Sequence, residues 1–136
     1  MRRGTTVAAL ALLALAAPAR ATHEPDHRFI VIGFVTDAAG LGLHDVPVVV
    51  TRVKTGLAHP TRTERDGLYL VVVHLHDEDE GDRLVVSANG VSGEVVARFE
   101  VRNRRLERGI RVDVRGRAFV EDRGAFAETL RAYLAR

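Results

Sequence analysis

The residues with the most chemistry to offer lie in one short run, His74-Leu75-His76-Asp77-Glu78-Asp79. Imidazole and carboxylate are ordinary ligands of Zn(II), Cu(II) and Ni(II). Side chains alternate along an extended strand, so His74 and His76 project from one face. If Tyr69, Val71, Val73 and Leu75 turn towards a core, both imidazoles stand outside it, beside the carboxylates of Asp77 and Asp79. One reading is a divalent-metal site of His74, His76, Asp77 and Asp79. The other is a solvated strand end followed by a charged loop that discourages edge pairing. His23 and His27, with Glu24 and Asp26, form a second donor set nearer the N-terminus. The acidic run lacks the ligand spacing of an EF-hand loop, which leaves at most a weak calcium site.

Nucleophilic chemistry is poorly provided for. The chain has no cysteine, which excludes a thiol nucleophile. Ser87 and Ser92 have no histidine close in sequence to activate them. The expectation is a protein that is not an enzyme, with no catalytic and no cofactor-binding residues.

The elements that position these residues are short and β-like. Residues 28–36 (RFIVIGFVT), 46–53 (VPVVVTRV) and 68–76 (LYLVVVHLH) are rich in β-branched and aromatic residues. The first is apolar on both faces, as a strand covered on both sides must be. Pro47 cannot donate to a ladder, so it belongs at a sheet edge or a strand start. The run DEDEGD at 77–82 is expected to be a loop, because so many carboxylates resist burial. Asn89-Gly90 is a strong hairpin signal between residues 83–88 and 94–101. In residues 109–115, Ile110, Val112 and Val114 alternate with Arg111, Asp113 and Arg115, the period of a half-buried strand. About six short strands at nearly regular spacing with no helices between them predict an all-β sandwich. After it, Phe126, Leu130, Tyr133 and Leu134 recur at helical spacing, with Asp122 placed as an N-cap. A helix this short is marginal alone, so it must pack on the domain or on a partner.

The N-terminus reads differently from the rest. Arg2 and Arg3 precede an unbroken apolar run of 11 residues, Val7 to Ala17, then Pro18 and the exit Ala19-Arg20-Ala21. Positive start, apolar centre and small-residue exit describe a secretory signal peptide. The run falls short of the roughly 20 residues that span a bilayer. The organisation expected is a signal peptide at 1–21, a polar lead-in at 22–27, the sandwich at 28–116 and a helical tail at 117–136. Without the leader, 20 Lys and Arg become 17, against 18 Asp and Glu. The basic balance of the whole chain is therefore no argument for nucleic acid. A periplasmic or secreted protein with no later membrane span, no lipid-modified cysteine and no disulfide is expected. The eight arginines between Arg98 and Arg117 either face an acidic surface or lipid head groups, or form the wet face of alternating strands.

Two stretches carry a resemblance. Residues 33–50, GFVTDAAGLGLHDVPVVV, and residues 63–70, TERDGLYL, resemble the carboxypeptidase regulatory-like, or transthyretin-like, family. The second stretch is similar to that family's Thr-Asp-x-x-Gly-x-Tyr/Phe signature. Glu64 stands where an Asp is usual, and Gly42 where a proline often precedes the leucine; both are expected to be tolerant turn positions. The resemblance implies a prealbumin-like, antiparallel Greek-key β-sandwich of about seven strands over residues 29–114. It also implies an accessory module, engaging another envelope or exported protein. The enzymes on related folds leave no trace: the zinc carboxypeptidase domain is missing, as is the terminal Tyr-Arg-Gly-Ser of the urate-pathway hydrolases. Tyr69 and Tyr133 are the only tyrosines for a dioxygenase iron site, which requires two tyrosines and two histidines. The alternative function is periplasmic metal binding through His74 and His76.

Overall fold

A computed structural model describes residues 26–136. The expected leader, and His23 and Glu24 of the second donor set, lie outside the described residues. Eight strands and one helix follow in order: β1 (His27–Thr36), β2 (Pro47–Arg52), β3 (Ala58–Arg62), β4 (Leu68–Leu75), β5 (Arg83–Ala88), β6 (Val91–Val96), β7 (Arg108–Arg115), β8 (Ala118–Asp122) and α1 (Phe126–Leu134). They form two four-stranded sheets, ordered β4-β1-β7-β8 and β3-β2-β5-β6. The protein is an all-β sandwich with a short C-terminal helix.

The core follows from the alternation. Phe29, Val31 and Val35 of β1, Val71, Val73 and Leu75 of β4, and Ile110, Val112 and Val114 of β7 face Val48, Val50, Leu84 and Val86 of the other sheet. The second apolar face of β1 is used as well: Ile30 and Ile32 pack with Leu68 beneath Phe126 and Leu130 of α1. The helix therefore docks on its own domain. It starts later than expected, because Asp122 ends β8; Asp122 Oδ1 still accepts the Ala125 N–H at 3.0 Å, at the helix entrance. The segment 118–122, expected to belong to the helical tail, is thus an edge strand of the sandwich.

Two further details depart from expectation. All pairs are antiparallel except β1 with β7, which run parallel in the centre of their sheet. The chain reaches β7 from β6 through residues 97–107, which cross between the sheets, so no hairpin constrains the direction. The strand expected to continue to Val101 stops at Val96, where the Arg98 N–H folds back onto the Val96 carbonyl at 3.0 Å. Asn89 and Gly90 adopt φ of 51° and 75°, the paired left-handed conformation of a tight hairpin turn. Pro47 opens β2, so it removes no donor from the middle of that strand.

The two stretches that carry the family resemblance meet in space. Thr63, buried, donates its hydroxyl to the Leu43 carbonyl at 2.6 Å and accepts the Val46 N–H at 2.9 Å. Gly67, at φ 84°, sits where an added Cβ would lie 2.3 Å from the Val35 oxygen. Gly42 is not a tolerant position: a Cβ there would lie 2.1 Å from the Asp66 oxygen.

Candidate functional site

The histidine and acidic residues gather where β1 begins and β4 ends. β1 and β4 pair antiparallel with His27 opposite Leu75 and Arg28 opposite His74. That register sets the start of one strand against the exit of the other. After β4 a single 3-10 turn, Asp77–Asp79, carries the chain towards β5.

The register makes two imidazole–carboxylate pairs. His27, 1% exposed, bonds Asp77 Oδ1 through Nε2. Its ring lies against Phe99 with centroids 4.9 Å apart. His74, exposed as expected, bonds Asp26 Oδ2 through Nδ1 at 2.7 Å. His76 is also exposed, but it stands beyond the end of β4 and opens the 3-10 turn.

The acidic run is a loop, as expected, yet one of its carboxylates is buried. Asp79 is 4% exposed. It accepts the His76 N–H at 2.8 Å and is flanked by Lys54 Nζ and by an Arg52 guanidinium nitrogen, each at 3.2 Å. Arg52 also reaches Asp82 at 2.5 Å. Burial alone would raise the Asp79 carboxyl above its ordinary value. The His76 N–H and the Lys54 and Arg52 cations outweigh that and hold it lower. The side chain is tolerated inside because two cations from the end of β2 and the residues after it come to meet it.

The four residues expected to form a metal site are therefore brought to one end of the fold, where Asp79 bonds the His76 N–H and the rest are engaged elsewhere. Asp77 serves His27, Asp79 serves Arg52 and Lys54, and His74 serves Asp26. Among the described residues no group of three or more His, Asp or Glu side chains is placed to hold a metal ion. Ser87 and Ser92 bond each other across the β5–β6 hairpin at 2.7 Å. Tyr69 is buried and donates its hydroxyl to the Val112 carbonyl at 2.7 Å. Burial, then the Asp113 charge, keeps that phenol protonated well above its usual range.

Sequence reasoning missed two features. His59, on β3, holds a buried Nε2 with no partner among the described residues. Burial first, then the nearby Arg52 charge, lowers its basicity. Elsewhere a recess of about 500 Å³ opens beside Phe34, Arg111, Asp113, Arg115 and Val120. Its charged walls are largely satisfied: Arg111 pairs with Asp113 at 2.8 Å, and Asp66 with Arg136 at 2.5 Å. Neither was legible, since each joins strands distant in sequence.

Fold and site together define a small two-sheet sandwich with imidazole–carboxylate and cation–carboxylate contacts at one end. Comparison with protein-family models, with curated proteins and with solved structures finds no match for the chain.

Proposed function

We propose that the protein is an exported, non-catalytic β-sandwich module of the carboxypeptidase regulatory-like kind, which works by binding another protein of the cell envelope. One observation carries this reading: the side chains most able to do chemistry are spent on holding the fold. His27 and Asp77 join β1 to the turn after β4, Asp79 anchors Arg52 and Lys54, and Tyr69 caps a backbone carbonyl. What remains for recognition is charge on loops, which favours orienting a protein partner over turning over a substrate. The contact between residues 33–50 and 63–70 through Thr63, Gly42 and Gly67 supports the family resemblance, because it gives both motifs one physical purpose. The charge, apolar run and small-residue exit of residues 1–21 support export.

The full chain, produced in bacterial cells, tests both parts. Fractionation and mass spectrometry should find the protein outside the cytoplasm, shortened by residues 1–21. Cross-linking in intact cells should join it to an envelope protein in a defined ratio. An uncleaved chain in the cytoplasm without such a cross-link overturns the proposal.

A further inference from the structure

The arginines from Arg98 to Arg117 were expected either to face an acidic surface or lipid head groups, or to line the wet face of alternating strands. Most of them do not lie on strands. Residues 97–107 form a crossing loop, and its arginines divide into two groups. Arg98 pairs with Glu80 at 3.5 Å. Arg108, at the start of β7, donates to the carbonyls of Glu100 and Asn103 and lies over the Phe99 ring, 5.9 Å from its centroid. Arg104 and Arg105, by contrast, have exposed side chains with no partner among the described residues, and so does Arg28 on β1. These three converge with Arg108 on a small polar cleft of about 130 Å³, whose remaining charged walls are Asp26 and Glu107.

Four guanidiniums face two carboxylates there, and Asp26 is already taken by His74 at 2.7 Å. The two carboxylates offset two of the four cations, which leaves an excess of two positive charges in the cleft. Like charges gathered in one recess repel unless an anion enters. The planar guanidinium fork matches the oxygens of a phosphate group two at a time. Arg108 lines the cleft while its Nη2 holds the Glu100 and Asn103 carbonyls, which fixes where that cation stands. Next to Arg105, Leu106 is 64% exposed, an apolar side chain set among cations, as at a protein surface that meets lipid.

We propose that the cleft of Arg28, Arg104, Arg105 and Arg108 is a binding site for a phosphate-type oxyanion, supplied by the headgroup of an anionic lipid or by a soluble phosphate. The site stands independently of the partner-binding reading above. It uses Arg28 of β1, Arg104 and Arg105 of the loop and Arg108 of β7, and shares only Asp26 with the histidine and acidic end.

The test uses the purified full chain without a tag. Inorganic phosphate is titrated at constant ionic strength while backbone amide signals of residues 103–108 are followed. In parallel the protein is sedimented with phosphatidylglycerol vesicles and with phosphatidylcholine vesicles. Arg104→Gln/Arg105→Gln is compared with Arg117→Gln/Arg131→Gln, which removes the same charge from exposed positions outside the cleft. Saturable phosphate shifts without vesicle binding assign the site to a soluble phosphate. Binding to phosphatidylglycerol but not phosphatidylcholine vesicles, weakened again by Leu106→Ser, assigns it to a lipid. In either case the cleft variant should lose affinity by about tenfold or more, and the control variant far less. Failure of both probes to bind, or equal losses in the two variants, overturns the proposal. All substituted side chains are exposed, and unchanged circular dichroism checks that each variant folds.

Discussion

Asp79→Ala is expected to lower the stability of the sandwich by about 2–3 kcal/mol, the upper part of the range for leaving a buried polar group unsatisfied and below that for a fully buried ion pair, because Lys54 is 56% exposed. The carboxylate is 4% exposed and meets Arg52 and Lys54 at 3.2 Å. Its loss leaves the Arg52 guanidinium, itself 11% exposed, with Asp82 alone. It also frees the His76 N–H that starts the 3-10 turn. Asp77→Ala should cost less, because Asp77 is 46% exposed and water can replace it at His27. The pH dependence has a definite sign. Asp79 is held below its ordinary value in the folded state, so the unfolded chain takes up its proton first as pH falls. Its contribution is full above the ordinary carboxylate value of about 4 and is lost as pH drops through the depressed one. Urea unfolding from pH 7 down to pH 2 should therefore show the gap between wild type and Asp79→Ala narrowing only in the acid limb. A gap that stays constant to pH 2 would show that the carboxylate charge contributes nothing.

Gly33→Ala should be more damaging still, at least about 3 kcal/mol, the upper range for forcing atoms into a packed interior. A Cβ at Gly33 would lie 1.8 Å from the Val112 oxygen and 2.6 Å from its carbonyl carbon. Both are backbone atoms at the parallel β1–β7 junction, so relief requires parting the two central strands. The junction is built around that close approach. The β1–β7 ladder pairs Ile32 with Arg111 and resumes at Val35 with Val114. In the gap the Phe34 N–H turns to Asp113 Oδ1 at 2.9 Å, and Tyr69 caps the Val112 carbonyl. Arg111 in turn holds the Asp113 carboxylate. Tyr69→Phe, which removes only the capping hydroxyl, should cost about 1–2 kcal/mol. Thermal unfolding of both variants checks the order. If Gly33→Ala melts with the wild type, the strands at this junction are not as tightly apposed as described.

How much of this was legible depends on how far each partner lies along the chain. Asn89-Gly90 announces its hairpin because the turn is local. The alternation of Ile110, Val112 and Val114 announces β7 because a half-buried strand writes its period into the sequence. β3 and β8 do not announce themselves. Each is an edge strand with mostly exposed residues, β3 interrupted by Pro60 and β8 carrying Glu121 and Asp122, so neither shows a clean two-residue period. Such edges are formed by pairing rather than by pattern. The parallel contact of β1 with β7 was hidden for the same reason.

The candidate site divides in the same way. That His74 faces outward follows from alternation with Val73 and Leu75. That Asp26 waits for it, and Asp77 for His27, depends on residues 48 and 50 positions away. The acidic run was read as too charged to enter the interior, and for Asp77 and Glu78 that holds. Asp79 differs because Arg52 and Lys54, on the far side of β3 and β4 in sequence, arrive beside it. Local charge density shows where burial is costly; only the fold shows where the opposing charge stands. The arginine cleft follows the same logic, since Arg28 precedes its companions by most of the chain.

The metal reading and the structural reading of the histidine and acidic end differ most sharply in one experiment. The purified, untagged protein is unfolded by heat with and without Cu(II), Zn(II) and Ni(II), in a buffer that does not chelate them. Ligands that bind the folded state raise its melting temperature by mass action. If His27, His74, Asp77 and Asp79 serve as fastenings of the fold, none of the metals shifts the midpoint appreciably, and His74→Ala/His76→Ala melts alike with and without them. A rise of several degrees with one metal, abolished in His74→Ala/His76→Ala, would contradict that reading and make this end of the sandwich a metal centre.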